Sequence, residues 1–239
     1  MRYPKQFFEL NFRFAQKVAD LSNQACTDVL VEHTTFYLSF NLGRRFDSAH
    51  PVWQEYLKGL RQSNEPVEWS HQFYLSRQPK ALPRAKERVF GCFTYAVWPE
   101  QKIRLHFQNN DRSKHGPLSQ ERMAIRVGEI KEMFTDIKEH VENPTTVIGG
   151  SWLYNIAAYR RLFPAAYLQT AQVGQPEFAY LSLWGQFLDR HGQVKEAVAA
   201  RFLACLSQQL DLVGVTNCFP FQVLRLEAPI EHFYQFYGI

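Results

Sequence analysis

Apolar residues along this chain recur at two periods, and the switches between them mark out its elements. Between 117 and 141 they fall at Met123, Val127, Ile130, Phe134, Ile137 and Val141, an alternation of four and three. Arg126, Glu129, Lys131, Glu132, Asp136, Lys138 and Glu139 lie between them. That spacing puts one apolar stripe on an otherwise solvated helix and fits no strand. Pro117 suits a first helical turn, where its missing N–H costs nothing, and Gly116 lets the chain bend into it. On both sides the period shortens to that of a strand. Segment 102–109 (KIRLHFQN) alternates Ile103, Leu105 and Phe107 with Arg104 and His106, and 145–149 (TTVIG) follows the helix. Strand, long helix and strand form a right-handed crossover unit, which brings the loops after both strands to one end of a sheet.

The remaining segments extend this pattern. Phe7, Leu10, Phe14, Val18, Leu21 and Ala25 predict an N-terminal helix with a wide aromatic face. Segment 27–42 fits helix or strand, Pro51 opens a short helix to Leu60, and 67–76 is a short element of either type. Residues 78–87 (QPKALPRAKE) read as a linker broken by Pro79 and Pro83, separating a helical N-terminal region, 1–77, from 88–239. Segment 88–98 (RVFGCFTYAVW) predicts a strand that turns into 102–109 as a hairpin. Further on, 152–163 reads as a helix stopped by Pro164, 166–171 (AYLQTA) as a strand, and 178–188 and 193–210 as helices. Segment 221–226 (FQVLRL) is the last strand and 230–237 a closing helix. Strands near 90, 105, 147, 168 and 223 predict an α/β fold, with α+β the variant: a central mixed sheet flanked by helices.

Composition narrows the function classes. With 46% apolar and 21% charged residues, the chain is an ordinary folded soluble protein, and its 239 residues fit one large domain or two small ones. A net charge of +4 is too small to indicate nucleic acid without a concentrated patch. The most basic stretch (Arg77, Lys80, Arg84, Lys86, Arg88) has no interleaved aromatics to stack on bases. A small-molecule substrate is therefore expected rather than nucleic acid. No apolar run approaches the ~18 residues of a membrane span, and MRYPKQFFELNF lacks a signal-peptide core. Cys26, Cys92, Cys205 and Cys218 are scattered among apolar neighbours and read as reduced core thiols, which points to a cytoplasmic setting. No H-x-x-x-H or H-E-x-x-H occurs, so no metal is expected.

Candidate chemistry collects after the two strands. The loop 108–116 (QNNDRSKHG) sets Asn109, Asn110, Asp111, Arg112, Lys114 and His115 before the predicted helix N-terminus. Free N–H groups and the helix dipole there favour an anion, although the same residues also make an ordinary polar turn. The phosphate loop G-x-x-x-x-G-K-[ST] is absent. Gly149 and Gly150 would let a ligand approach the backbone, and Ser151 is placed to cap the helix at Trp152. Without G-x-S-x-G, Ser151 is no nucleophile. On that helix Asn155 and Tyr159 share a face, while Arg160 and Arg161 run to solvent.

The strand with Gly91 (VFGCFTYA), the hairpin, and the charged loop with Arg112, Lys114 and Gly116 recur together in one family. With N-x-x-A at Asn155 and Ala158, then Ala166 and Tyr167, residues 88–168 resemble the core of the GCN5-related N-acetyltransferase superfamily. The resemblance implies that loop N–H groups hold the pyrophosphate of acetyl-CoA or another acyl-CoA. Asn109, Arg112, Lys114, His115 and Gly116 would line that end, with Asn155 beside the pantetheine arm. It implies direct transfer of the acyl group to an amine or small metabolite; independently of it, His106 and Tyr159 are the candidate proton-transfer residues. This chain departs from the family at Pro117, where the second loop glycine would fall, and at Leu162, where the usual general-acid tyrosine would stand. The rival reading is a non-catalytic protein that docks a partner through its aromatic N-terminal helices.

Overall fold

The computed structural model of the chain describes residues 2–77, 88–111 and 113–239. The N-terminal part holds α1 (Lys5–Ser22), α2 (Cys26–His33), α3 (Phe36–Ser39), α4 (Pro51–Gln62) and α5 (Pro66–Ser76). Then come β1 (Phe93–Trp98), β2 (Lys102–Phe107), α6 (Met123–His140), β3 (Thr146–Ser151), α7 (Ala157–Arg160), α8 (Ala165–Gln169) and β4 (Gln172–Val173). The chain closes with α9 (Leu181–Trp184), α10 (Glu196–Gln208), α11 (Leu212–Asn217), β5 (Leu224–Pro229) and α12 (Glu231–Tyr237). This is the expected α/β fold, with one mixed sheet and a helical N-terminal region. The proposed linker 78–87 lies outside the described residues.

Two compact units divide the chain: Met1–Leu82 with Pro176–Phe221, and Pro83–Gln175 with Gln222–Ile239. The segment 176–221 thus belongs with the N-terminal helices, whereas the sequence grouped it with 88–239. The aromatic stripe of α1 explains this. Phe14 packs against Phe178, Trp184 and Phe219, with ring centroids 4.9, 5.4 and 5.3 Å away. The uncertain stretch 27–42 becomes α2 and α3. Thr34 Oγ1 donates back to Leu30 O at 2.7 Å where α2 ends, and buried Asn11 of α1 accepts from Thr35 N at 2.8 Å. The expected helix 178–188 is α9 followed by a 3-10 turn (Gly185–Phe187). Cys205 and Cys218 form a disulfide from α10 to the end of α11. This corrects the expectation of four reduced thiols, so cysteine usage no longer argues for a reducing compartment; Cys26 and Cys92 are free.

In the second unit the sheet order is β1-β2-β3-β5-β4. β1 and β2 form the expected hairpin from Phe93↔Phe107 to Trp98↔Lys102. β2 and β3 run parallel, joined by α6, and β5 pairs antiparallel with both β3 and β4. Ile130, Phe134 and Ile137 of the predicted stripe are buried with Ile103, Leu105 and Val147 of the sheet. Two elements differ from expectation. AAYLQ, starting just after Pro164, is helix α8, because Tyr167 is needed inward for the core; the strand expected here, β4, is only Gln172–Val173. The expected helix 152–163 is a 3-10 turn (Trp152–Asn155) and α7, separated by Ile156 in extended conformation at φ −92°, ψ 119°.

β4 and β5 form a hairpin whose connection is the whole segment 176–221, since Val173 pairs with Leu224 and Gly174 N donates to Val223 O at 2.9 Å. A chain of 88–175 joined to 222–239 by a short Gly-Ser linker is therefore expected to melt cooperatively. The fragment 88–239 is expected to aggregate, because it keeps Phe178, Trp184 and Phe219 but lacks α1. A soluble, cooperatively melting 88–239 fragment would refute this division.

Candidate functional site

The site is built where β2 and β3 end. Their parallel ladder consists of Ile103↔Val147 and Arg104↔Ile148 and then stops. Both strands continue on their outer partners, β2 to Phe107 beside Phe93 and β3 to Ser151 beside Leu224. The sheet therefore opens between its two parallel strands at their carboxyl ends, the position where open α/β sheets collect ligands. The loops after β2 and β3 leave from this opening, as expected from the crossover. Arg161 ties them together, with Nη1 donating to Gln120 Oε1 at 2.7 Å and Nη2 to Leu118 O at 2.9 Å.

Neither face of the glycine pair is empty, contrary to the sequence reading. Successive strand residues face opposite sides, and each side is filled by the protein itself. A Cβ on Gly149 would collide with the hydroxyls of Tyr154 and Tyr167, which hydrogen-bond to each other at 2.9 Å. A Cβ on Gly150 would stand 2.9 Å from Arg104 Nη2 on the other face. Ser151 does act as a cap, accepting from Leu153 N at 3.1 Å, though on the 3-10 turn.

The loop after β2 is anchored from below. Asp111, its side chain 3% exposed, accepts from Ser113 N at 2.8 Å, Arg122 Nε at 2.7 Å and Arg126 Nη2 at 3.0 Å. Arg126 is 2% exposed and also reaches Glu129 Oε1 at 3.1 Å; its Nη1 donates to Cys92 Sγ. Glu129 Oε2 accepts from Cys92 N at 3.0 Å. Hydrogen bonds from Ser113, first its backbone N–H, and from Arg122 hold Asp111 ionised, with its pKa lowered to about 2. Burial pushes the Cys92 thiol up, which keeps it a packing residue rather than a nucleophile. This ion cluster has no counterpart in the sequence reading, which placed Arg126 on the solvated face.

α6 begins at Met123, not Pro117. Ser119 N donates to Gly116 O at 3.0 Å and Arg122 N to Ser119 O at 3.1 Å, so a turn and a 3-10 segment (Gln120–Arg122) intervene. The loop 109–116 is thus not directly on a helix N-terminus, which corrects the dipole argument. Of its nominated residues, Asn109 is half-buried and Lys114 exposed. His115 lies 3.9 Å from the Glu121 carboxylate, and Gly116 borders open space. Arg112 lies outside the described residues. His106 stands on the sheet face opposite Leu105 and the α6 core.

Two nominated residues serve the fold instead. Asn155 Nδ2 donates to Trp152 O and Gln222 O, both at 2.8 Å, closing the 3-10 turn onto the start of β5. Tyr159 is 2% exposed, packed against Phe107, Tyr154 and Phe163. Burial raises its pKa well above the phenol range, so it cannot reach a substrate or give up its proton there. The break at Ile156 also removes the shared helical face that paired it with Asn155.

Among the described residues no His, Cys, Asp and Glu cluster could hold a metal ion, and no helix is long and apolar enough to cross a membrane. No protein-family model, curated protein or solved structure matches this chain.

Proposed function

We propose that the unit of residues 83–175 and 222–239 is an acyltransferase that takes its acyl group from acetyl-CoA or another acyl-CoA and passes it to an amine. The observation that carries this reading is the β2–β3 ladder that ends at Arg104 and Ile148 while both strands run on. A strand edge beyond the end of a ladder offers backbone groups to an extended ligand with amides of its own. The pantetheine arm of a CoA thioester is such a ligand. Lys114 supplies positive charge on the adjoining loop for its phosphates, His115 stands next to it, and Arg112 belongs to the same stretch of sequence.

In such a transfer the amine nitrogen attacks the thioester carbonyl, the C–S bond breaks, and the amine's proton leaves to a base while the thiolate takes up a proton. His106 is our candidate for the base, being an imidazole on β2 beside the opening. Tyr159 is sealed in the core and takes no part. The rival reading needs an uncovered aromatic face on α1. Phe7, Phe8, Leu10 and Phe14 are instead buried, with Phe14 packed on the rings of its own unit.

Calorimetry with acetyl-CoA is expected to give saturable binding. Replacing Arg112 and Lys114 together with Ala is expected to weaken it by ~1.5–3 kcal/mol for each charged hydrogen bond lost, with little change in melting temperature. Silence with CoA, acetyl-CoA and long-chain acyl-CoA alike would overturn the reading.

A further inference from the structure

Arg104 occupies a distinctive position. It is the last β2 residue in the β2–β3 ladder, and its side chain is on the face opposite the α6 core, as strand alternation requires. Its guanidinium carbon lies 5.0 Å from the centre of the Trp98 ring. On the other side, Nη2 takes the space that a Cβ at Gly150 would need, 2.9 Å away. An aromatic ring and a bare stretch of β3 thus hold one planar cation at the opening of the sheet. In the same unit Arg88, Arg122 and Arg126 pair with carboxylates, and Arg161 with amide oxygens. Among the described residues Arg104 has no carboxylate partner.

We infer that Arg104 is the binding residue for a carboxylate on the acyl acceptor, making the acceptor an amino acid or a similar amino-carboxylate. This rests on the acyl-transfer reading for the identity of the reaction, though not for the anion site itself. A guanidinium fork matches a carboxylate with two parallel hydrogen bonds, and its place over the Trp98 ring holds the cation at the opening. His106 projects from the same face two residues on, ~7 Å along the strand. A molecule held by its carboxylate at Arg104 therefore has its amine within a short carbon chain of the candidate base.

The test uses the full chain and product-like probes: N-acetylglycine and N-acetyl-β-alanine, their uncharged amides, and inorganic phosphate, with binding read by saturation-transfer NMR. At least one carboxylate probe is expected to bind and its amide not to. Arg104→Gln is expected to weaken that probe roughly tenfold or more, the loss of one charged hydrogen bond or two. Gly150→Ala provides a second route, because its methyl displaces only the far end of a flexible side chain while leaving the charge in place. It too is expected to weaken the carboxylate probe while the melting temperature holds. Equal binding of acid and amide, preference for phosphate alone, or unchanged affinity in both variants would overturn the assignment. Arg104-dependent carboxylate binding in a protein silent to every CoA thioester would keep the anion site and remove the acyl-transfer reading.

Discussion

Phe134→Ala is expected to destabilise the protein by about 3–5 kcal/mol, the range for truncating a core aromatic. Phe134 is fully buried at the middle of the α6 stripe. Its ring stacks on Phe233 and Tyr237 of α12, with centroids 4.9 and 5.4 Å away. The same core cluster takes in Ile103 and Val147. Truncation therefore leaves a cavity between the long helix, the sheet and the C-terminal helix, and three elements would have to shift together to close it. Chemical denaturation followed by circular dichroism measures the effect. Glu139→Ala, on the exposed side of the same helix, is expected to stay within ~0.5 kcal/mol of the parent, as surface substitutions do. A Phe134→Ala change below about 1 kcal/mol would mean that α12 does not depend on this ring.

That helix also shows what the sequence could and could not disclose. Its stripe was legible because burial repeats at the helical period, β2 because apolar positions there alternate, and β1 from its aromatic and β-branched composition rather than from any alternation. The parallel pairing of β2 with β3 followed from chain order. Short elements were not readable in this way. AYLQTA has too few residues to carry a period, and its conformation is set by Tyr167 meeting Tyr154 over Gly149. The helix start at Met123 depends on two turn hydrogen bonds within 116–122, and Pro117 favours a turn as readily as a first helical position. The grouping of 176–221 with α1 is a contact between aromatic faces far apart in sequence, which no local pattern specifies. The loop after β2 was legible from its composition, but its anchoring was missed. Arg126 precedes Ile130 by four and Met133 by seven, so it is in phase with buried positions on the same helix. That phase was the available signal. Arg104 was visible only as one polar position in an alternating strand; what singles it out is the end of the ladder beside it and the bare backbone at Gly150.

Arg126→Met is expected to cost about 3–5 kcal/mol, the effect of breaking a buried ion pair from one side. Removing the guanidinium leaves Asp111 and Glu129, 3% and 15% exposed, without the cation that both contact. Asp111 keeps Arg122 and Ser113, so the cost falls mainly on Glu129 and on the loss of the link between the two carboxylates. Neutralising the whole group at once, as Arg126→Met with Asp111→Asn and Glu129→Gln, is expected to recover much of the loss. A network replaced entirely by neutral groups leaves no charge stranded, and residues in one network do not add independently. The pH dependence gives a second reading of the same cluster. The Asp111 carboxyl lies at about 2 in the folded protein against an ordinary value of 3.8. A depressed folded pKa means that its stabilisation is complete above ~4 and is lost as pH falls from there through about 2. Asp111→Asn should therefore be less stable than the parent at neutral pH, with the gap narrowing over that window in acid denaturation monitored by circular dichroism. A gap that is constant from pH ~6 to ~2, or a triple variant whose loss equals the sum of the three single ones, would show that these three side chains do not act as one buried network.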